Sequence, residues 1–369
     1  MDVDDILNQS ALPHVRKIVP YPPGKPIEEL EREWGITGSI KLASNENPLG
    51  PSPKAVAAMR DALAKLNRYP DGSGYYLRKR LSEKFGVPFD CVLLGNGSNE
   101  IIDMAVRSFV GPGDQAITSV PAFLMYSKLV QAAGGEPVEI PLQSFNLDLD
   151  ALLRAVTNKT KLIFLTNPNN PTGTTYSTTE FVRFLNDVPA RIILLLDEAY
   201  IEFMRDSGSP QGIDFFRDYP NLIVMRTFSK AYGLAGARIG YGFAHPQIAS
   251  VMNRVRQPFN ANSLAQAGAI GALDDDDFVR RTQSTIWEGL SYLYDALDRM
   301  GLHYVPTQAN FFLIKVGKAR KVYEDMLAEG VIIRSMDSYG LDEFIRVNVG
   351  LPEENERFIA ALKSVLNRK

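Results

Sequence analysis

Between residues 91 and 243, short apolar runs alternate with segments of helical period. The predicted strands are residues 91–94, 116–120, 161–166, 191–196, 222–226 and 239–243. Strands that alternate with helices form a mostly parallel sheet covered by helices. Residues 192–196 are apolar at every position, which is typical of a central strand buried on both faces. The pattern therefore predicts an α/β fold with a mostly parallel, mixed sheet sandwiched by helices.

A second, smaller α/β domain is predicted beyond a long amphipathic helix. Residues 278–300 place Ile286, Leu290 and Leu293 on one stripe, as expected for a helix with one apolar face. The elements predicted after it are strands at 310–316, 331–335 and 344–349 and helices at 322–328 and 353–368. We expect a large domain at residues 41–274, a small C-terminal domain at 275–369, and an N-terminal arm at 1–40 that packs on the small domain.

The composition is that of an ordinary soluble globular protein, with 45% hydrophobic and 22% charged residues over 369 positions. The net charge of −3 provides no basic field for nucleic acid or anionic lipid. Cys91 is the sole cysteine and the three histidines lie far apart, so we predict no disulfide and no metal centre. The first ten residues lack the pattern of a signal peptide, and we expect a cytoplasmic enzyme.

Unusual polar groups follow four of the predicted strands, where open parallel sheets bind their ligands. Gly95-Asn96-Gly97-Ser98-Asn99-Glu100 opens a helix, and amides at such a helix start can hold a phosphate. A dinucleotide fingerprint would need glycine where Glu100 stands, and a carboxylate there repels a pyrophosphate. We therefore favour a monophosphate site over a dinucleotide site, while a plain tight turn stays an alternative.

The other three strand ends carry Asn170, then Asp197 with Tyr200, and then a hydroxyl-rich segment with Lys230 and Arg238. Each has a structural alternative when taken alone: a rigid turn, a helix cap and a solvated surface lysine. Small residues surround Lys230, which lets backbone and ligand approach closely. Lysine is also the residue that forms Schiff bases when its pKa is lowered by desolvation or nearby cations.

One ligand needs all four strand ends, namely pyridoxal 5′-phosphate. Its aldehyde condenses with Lys230, Asp197 keeps its ring nitrogen protonated, and Asn170 and Tyr200 supply neutral donors to its phenolic oxygen. The groups expected to bind its phosphate are Arg238, Ser229, Thr227 and the amides of Ser98 and Asn99. Phe123 is placed to stack on the ring, although a core role for this aromatic is nearly as well supported by the sequence.

These motifs resemble the fold-type I, pyridoxal-phosphate-dependent aminotransferases over nearly the whole chain. The resemblance is carried by Asn170-Pro171-Thr172-Gly173, by Asp197 with Tyr200, and by Ser229-Lys230 with Arg238 eight residues beyond. Residues 20–24, 42–48, 67–70 and 345–350 are similar to the histidinol-phosphate aminotransferase subgroup. Aromatic aminotransferases and an amino-acid phosphate decarboxylase share much of this pattern.

The resemblance implies roles for residues outside the four strand ends. Arg346 binds the substrate's anionic group with help from Arg334, Tyr21 closes over the substrate, and Asn47 lies with these substrate-binding residues. Tyr69 reaches the cofactor phosphate of a neighbouring subunit, which implies a homodimer. Lys230 is the Schiff-base lysine and proton carrier, and Lys230, Asp197 and Tyr200 form the catalytic set. The sequence departs from the subgroup at two positions, with Phe123 where tyrosine is frequent and Asn99 where an acid is common.

The activity implied is transfer of an amino group between histidinol phosphate and 2-oxoglutarate, giving imidazole-acetol phosphate and glutamate, as in histidine biosynthesis. The expected partners are a small-molecule amino donor and a 2-oxo acid, with no nucleic acid and no membrane. An aromatic amino acid aminotransferase of the same fold is the first alternative. A nicotinamide-dependent oxidoreductase that uses residues 95–98, and a ligand-binding protein without catalysis, are more distant alternatives.

Overall fold

The computed structural model of the chain describes residues 2–367, and residues 1, 368 and 369, at the ends of the predicted arm and last helix, lie outside the described part. Its strands are β1 (Ile40–Lys41), β2 (Val92–Gly95), β3 (Gln115–Val120), β4 (Glu136–Pro141), β5 (Thr160–Thr166), β6 (Ile193–Asp197), β7 (Leu222–Thr227), β8 (Gly240–Phe243), β9 (Tyr304–Val305), β10 (Phe311–Lys315), β11 (Val331–Ile332), β12 (Arg334–Ser335) and β13 (Phe344–Asn348).

The α-helices of residues 2–367 surround these strands. They are α1 (Val3–Ser10), α2 (Ile27–Trp34), α3 (Pro53–Ala62), α4 (Tyr75–Phe85), α5 (Ser98–Phe109), α6 (Met125–Ala132), α7 (Leu149–Arg154), α8 (Thr178–Asp187), α9 (Pro246–Asn253), α10 (Ser263–Leu273), α11 (Asp276–Arg299), α12 (Ala319–Ala328) and α13 (Pro352–Asn367). Within residues 2–367, no helix is both long enough and apolar enough to cross a membrane.

The larger sheet has seven strands in the order β2-β8-β7-β6-β5-β3-β4. All neighbours pair in parallel except β8, which is antiparallel to both β2 and β7. The predicted mostly parallel, mixed sheet is thus confirmed. Because β2 is antiparallel to a strand that is itself antiparallel to β7, the carboxyl ends of β2, β3, β5, β6 and β7 meet at one edge.

The central strand β6 explains the unbroken apolar run in the sequence. Leu194 and Leu196 join one hydrophobic cluster, whereas Leu195 between them joins the cluster on the opposite face. A strand covered by helices on both faces buries every side chain, so the alternation of polar and apolar residues disappears. Asp197, the last residue of β6, is therefore the first polar residue along this strand.

The edge strand β4 was not among the predicted strands. It reads Glu-Pro-Val-Glu-Ile-Pro, and all six of its residues are half-buried or exposed. Proline cannot donate to a strand ladder, so a strand with two prolines is tolerated only at an edge. The predicted strand at 331–335 is also two strands in the structure, since β11 pairs in parallel with β1 while β12 pairs with β13.

The smaller sheet has four strands in the order β12-β13-β10-β9, and its strands pair antiparallel. The apolar stripe of α11, which includes Ile286, Leu290 and Leu293, packs in the hydrophobic cluster of this sheet. Leu30 of α2 packs with Leu327 and Ile332 of the same unit. Upstream of α2, the carbonyl of Val19 accepts a hydrogen bond from Lys128 of α6. The N-terminal segment therefore contacts the smaller unit through α2 and a helix of the larger sheet through Val19.

Leu194→Ala is expected to lower the free energy of unfolding by about 2–5 kcal/mol, because it opens a cavity at a fully buried side chain of the central strand. Urea unfolding followed by circular dichroism measures the change. Leu7→Ala, at a half-exposed position of α1, is the matched control and should move the midpoint little. Equal shifts for the two variants would contradict the central burial of β6.

Candidate active site

A cavity of about 300 Å³ lies at the carboxyl edge of the larger sheet and reaches the smaller sheet. Its lining contains thirteen of the residues singled out from the sequence: Tyr21, Ser98, Asn99, Phe123, Asn170, Asp197, Tyr200, Thr227, Ser229, Lys230, Arg238, Arg334 and Arg346. The meeting of strand ends at one sheet edge places the residues of the larger sheet here. Arg334 and Arg346 come from β12 and β13, so both units contribute to the cavity.

Lys230 follows β7 and carries the only lysine amine that residues 2–367 contribute to this lining. Its Nζ donates a hydrogen bond to the carbonyl oxygen of Ser44 at 3.1 Å and lies 5.6 Å from the centre of the Tyr200 ring. Burial, together with the positive charge of Arg346, lowers the pKa of Lys230 to about 8. A pKa near 8 leaves a fraction of the Lys230 amine unprotonated at neutral pH, a much larger fraction than an ordinary lysine has.

Asp197 ends β6 and is buried. The backbone N–H of Ala199 donates to its Oδ1 at 2.9 Å, and the hydroxyl of Tyr126 donates to its Oδ2 at 2.6 Å. Burial raises the pKa of Asp197 to about 6, and the hydrogen bond from Tyr126 opposes this rise. The carboxylate is therefore largely charged at neutral pH although it is buried.

Asn170 and Tyr200 form a hydrogen-bonded chain with Arg346. Nη1 of Arg346 donates to Oδ1 of Asn170 at 2.6 Å, and Nδ2 of Asn170 lies 3.5 Å from the Tyr200 hydroxyl. Nδ2 of Asn45 also donates to that hydroxyl, at 3.0 Å. Burial raises the pKa of Tyr200 above its usual value, so its hydroxyl stays protonated. These side chains offer neutral hydrogen-bond donors beside Lys230.

An anion cradle lies where α5 begins. Gly97 precedes α5 with φ of 74°, and a Cβ at this position would come 2.3 Å from Nη2 of Arg238. A Cβ at Gly240 would come equally close to the backbone nitrogen of Ser98. Glycine at both positions thus keeps the guanidinium and the helix amides close together. Unpaired N–H groups at a helix N-terminus attract anions, and Arg238 adds a full positive charge.

Tyr21 lies between two groups of the cavity wall. Its ring meets the Phe123 ring edge-on at 6.4 Å between centres, and the Arg334 guanidinium lies 5.8 Å from its ring centre. Arg334 also donates to the carbonyl oxygen of Pro22 at 2.9 Å. The segment at residues 21–24 is thus fastened over the cavity by an arginine of the smaller unit.

Two residues singled out from the sequence do not line the cavity. Tyr69 is 82% exposed and stacks on Phe259 with ring centres 4.7 Å apart. The Nδ2 group of Asn47 donates to the carbonyl oxygen of Ala231 at 2.9 Å and to Oγ1 of Thr282 at 3.1 Å. The side chain of Asn47 therefore joins its own loop to the segment at Ala231 and to helix α11, and it does not line the cavity.

The structure adds residues that the sequence reasoning did not single out. Asn45, Tyr126 and Tyr339 line the cavity. Asn45 lies within the motif at 42–48, and Tyr126 stands three residues after Phe123, so both were adjacent to residues already chosen. Next to the cavity, Glu198 and Arg226 form a buried ion pair at 2.8 Å between the ends of β6 and β7. No sequence spacing predicts that pair.

The described residues hold no group of three or more histidine, cysteine, aspartate or glutamate side chains that could bind a metal ion.

A family model described as "Aminotransferase class I and II" matches residues 37–362. The chain belongs to the class I and II aminotransferase family. The predicted family and fold class are thereby confirmed, and nothing supports the nicotinamide-dependent oxidoreductase or the non-catalytic binding protein.

Relatives with assigned names are similar over nearly their full length. "Histidinol-phosphate aminotransferase 2" of Pseudomonas fluorescens is 47% identical over 361 residues, which covers 97% of this chain and 98% of the relative. The protein of the same name from Carboxydothermus hydrogenoformans is 48% identical, with 95% and 98% covered. The solved histidinol-phosphate aminotransferase of Sinorhizobium meliloti, in complex with pyridoxal-5′-phosphate, superposes with a TM-score of 0.90 at 30% identity, covering 97% of this chain and 98% of that one.

The rate at which acetic anhydride acetylates Lys230 is expected to rise with pH, with a midpoint near pH 8, because the pKa of Lys230 is lowered. The protein is first freed of bound carbonyl compounds with hydroxylamine, and labelling is followed residue by residue by mass spectrometry. Lys25 is the internal control, since hydrogen bonds to Glu33 and Glu29 raise its pKa above 10.5. Arg346→Gln should move the Lys230 midpoint upward, and a midpoint that coincides with that of Lys25 would contradict the site's electrostatics.

Proposed function

We propose that this chain is a pyridoxal-phosphate-dependent aminotransferase that moves an amino group between histidinol phosphate and 2-oxoglutarate. The observation that carries the proposal is the convergence, in one cavity, of the Lys230 amine, the Asp197 carboxylate and the anion cradle beside Arg238. The family of the chain and the names of its relatives support the same activity.

The residues present fit pyridoxal phosphate. The cradle kept open by Gly97 and Gly240 suits a phosphate, and Asp197 retains a free acceptor position on each oxygen beyond its present hydrogen bonds. The residues that would hold the phosphate are Ser98, Asn99, Thr227, Ser229 and Arg238, while Asn170 and Tyr200 would bind the phenolic oxygen and Phe123 would cover the ring. When bound, this cofactor supplies an aldehyde that condenses with amines and a ring that withdraws electrons from the attached carbon.

Lys230 and Asp197 have complementary proton roles in this proposal. Nζ of Lys230 has a pKa near 8, so it can accept a proton from the substrate carbon and return it near neutral pH. The Asp197 carboxylate would keep the proton on the ring nitrogen, because a buried negative charge favours a positive one beside it. The burial that lowers the pKa of Lys230 also limits the access of water to both groups.

Arg346 and Arg334 form the proposed site for the substrate's anion. Nη1 and Nη2 of Arg346 donate to Asn170 and to the carbonyl of Ala43, whereas its buried Nε has no hydrogen-bond partner within residues 2–367. Histidinol phosphate has no α-carboxylate, so we assign its phosphate to this pair in one half-reaction and a carboxylate of glutamate in the other. A guanidinium fork can bind either anion through paired hydrogen bonds.

We also propose how the chain assembles, how it divides into domains and where in the cell it lies. The exposed stack of Tyr69 on Phe259 suits a second copy of the chain, and we propose a homodimer in which Tyr69 reaches the neighbouring cavity. The buried residues of the larger sheet's main cluster all lie within residues 41–274, and those of the smaller sheet's cluster come mainly from residues 286–365, which supports a large domain at 41–274 and a small one at 275–369 with the arm at 1–40. The buried free thiol of Cys91 is compatible with a cytoplasmic location.

The function is tested by half-reactions of the purified protein loaded with pyridoxal phosphate. Histidinol phosphate is expected to convert the aldehyde form of the cofactor to the amine form, which changes its absorption, and 2-oxoglutarate should reverse the change. Phenylalanine serves as the comparison donor, and faster conversion by phenylalanine would favour an aromatic aminotransferase. Lys230→Ala should lose the conversion while its circular dichroism stays native, and turnover at the native rate would contradict the proposed mechanism.

Arg346→Ala is expected to raise the KM for histidinol phosphate and for glutamate by about 10- to 100-fold each, because each loses a charge-assisted hydrogen bond. Steady-state kinetics with each partner varied in turn measures the change. Arg320→Ala, on the exposed surface of α12, is the matched control. A rise confined to one partner would contradict the shared anion site.

A further inference from the structure

The carboxylate of Asp197 has one side-chain hydrogen-bond donor within residues 2–367, the hydroxyl of Tyr126. This 2.6 Å contact joins residues 71 positions apart in the sequence. The other donor to the carboxylate is the backbone N–H of Ala199, on the opposite oxygen. Tyr126 thus controls Oδ2 of Asp197, and it is the donor at this carboxylate that a substitution can remove without altering the backbone.

The ring of Tyr126 is fixed by aromatic neighbours. It stacks on Phe164 of β5, with ring centres 4.7 Å apart and planes inclined by 15°, and it meets Phe123 edge-on at 5.7 Å. Tyr126 is 1% exposed, so its hydroxyl cannot hydrogen-bond to bulk water in place of Asp197. The aromatic stack therefore aims the hydroxyl at Asp197.

The charges around this contact keep the proton on the tyrosine. Burial and the negative charge of Asp197 raise the pKa of Tyr126 well above 10, so its hydroxyl remains a donor. Asp197 also faces the Lys230 cation, which favours its ionised form, and the Glu198 carboxylate, which opposes it. Tyr200 and Tyr339 are the other titratable groups near Tyr126, and burial raises the pKa of both.

We propose that Tyr126 is a positioning residue, whose hydroxyl keeps the Asp197 carboxylate ionised and oriented to receive the protonated ring nitrogen of pyridoxal phosphate. The inference rests on the proposed function, since it assigns Asp197 to that nitrogen. A buried carboxylate that has lost one of its two hydrogen-bond donors would take up a proton more readily, and a neutral acid cannot balance the positive charge of the ring. Tyr126 would then set the lowest pH at which the protein binds its cofactor well.

The test is the pH dependence of pyridoxal phosphate binding, measured by equilibrium dialysis at pH values on both sides of 6. Tyr126→Phe keeps the ring and its stack but removes the hydroxyl. The affinity of the wild-type protein is expected to fall as Asp197 becomes protonated, and Tyr126→Phe should move this fall upward by about one to two pH units. Tyr176→Phe is the matched control, because Tyr176 is also buried but its hydroxyl has no hydrogen-bond partner within residues 2–367.

A double substitution separates an effect through Asp197 from a loss of packing. In Asp197→Asn the side chain cannot ionise, so adding Tyr126→Phe should leave the pH dependence unchanged. A shift of the same size on both backgrounds, or superimposable curves for wild type and Tyr126→Phe, would overturn the inference. Failure of the wild-type protein to bind pyridoxal phosphate at any pH would instead contradict the proposed function.

Discussion

The shared direction of the strands in the larger sheet is the constraint on which the rest of the structure depends. Since β2, β3, β5, β6 and β7 all end at the same edge, the segments that follow them converge on one cavity. Residues separated by more than a hundred positions thereby become neighbours. The smaller sheet closes the same cavity with Arg334 and Arg346, so guanidinium groups line it from both sheets, Arg238 on one side and Arg334 with Arg346 on the other.

Burial has opposite effects on the two charged groups at the centre of the cavity. It disfavours the charged form of each, which lowers the pKa of Lys230 to about 8 and raises the pKa of Asp197 to about 6. Arg346 strengthens the effect on Lys230, while Tyr126 limits the effect on Asp197. At a pH between these two pKa values, Lys230 is largely protonated and Asp197 is largely ionised. A modest change in their surroundings can therefore change the protonation state of either group.

The buried ion pair of Glu198 and Arg226 joins the ends of β6 and β7 next to the cavity. Isolated buried charges are strongly unfavourable, but Oε2 of Glu198 accepts from Nε of Arg226 at 2.8 Å and its Oε1 accepts from the backbone of Gly212 at 2.5 Å. Glu198 follows Asp197, and Arg226 precedes Thr227. The pair therefore fixes the end of β6 against the end of β7, and with them the two segments that carry Asp197 and Lys230.

The sequence by itself determined six of the seven strands of the larger sheet, because their short apolar runs alternate with helical segments, but it missed the proline-containing edge strand β4. It also singled out Lys230, Asp197 and Arg238 as candidate cofactor-binding residues, since each lies at or after the end of a strand at a motif spacing. The hydrogen bond of Tyr126 to Asp197 and the orientation of Asn45 came only from the tertiary structure. Asn45 has φ of 55°, and its amide reaches the Tyr200 hydroxyl, whereas Asn47 in the same motif binds elsewhere. Such contacts join distant segments whose approach depends on how the helices and both sheets pack, which local residue patterns do not encode.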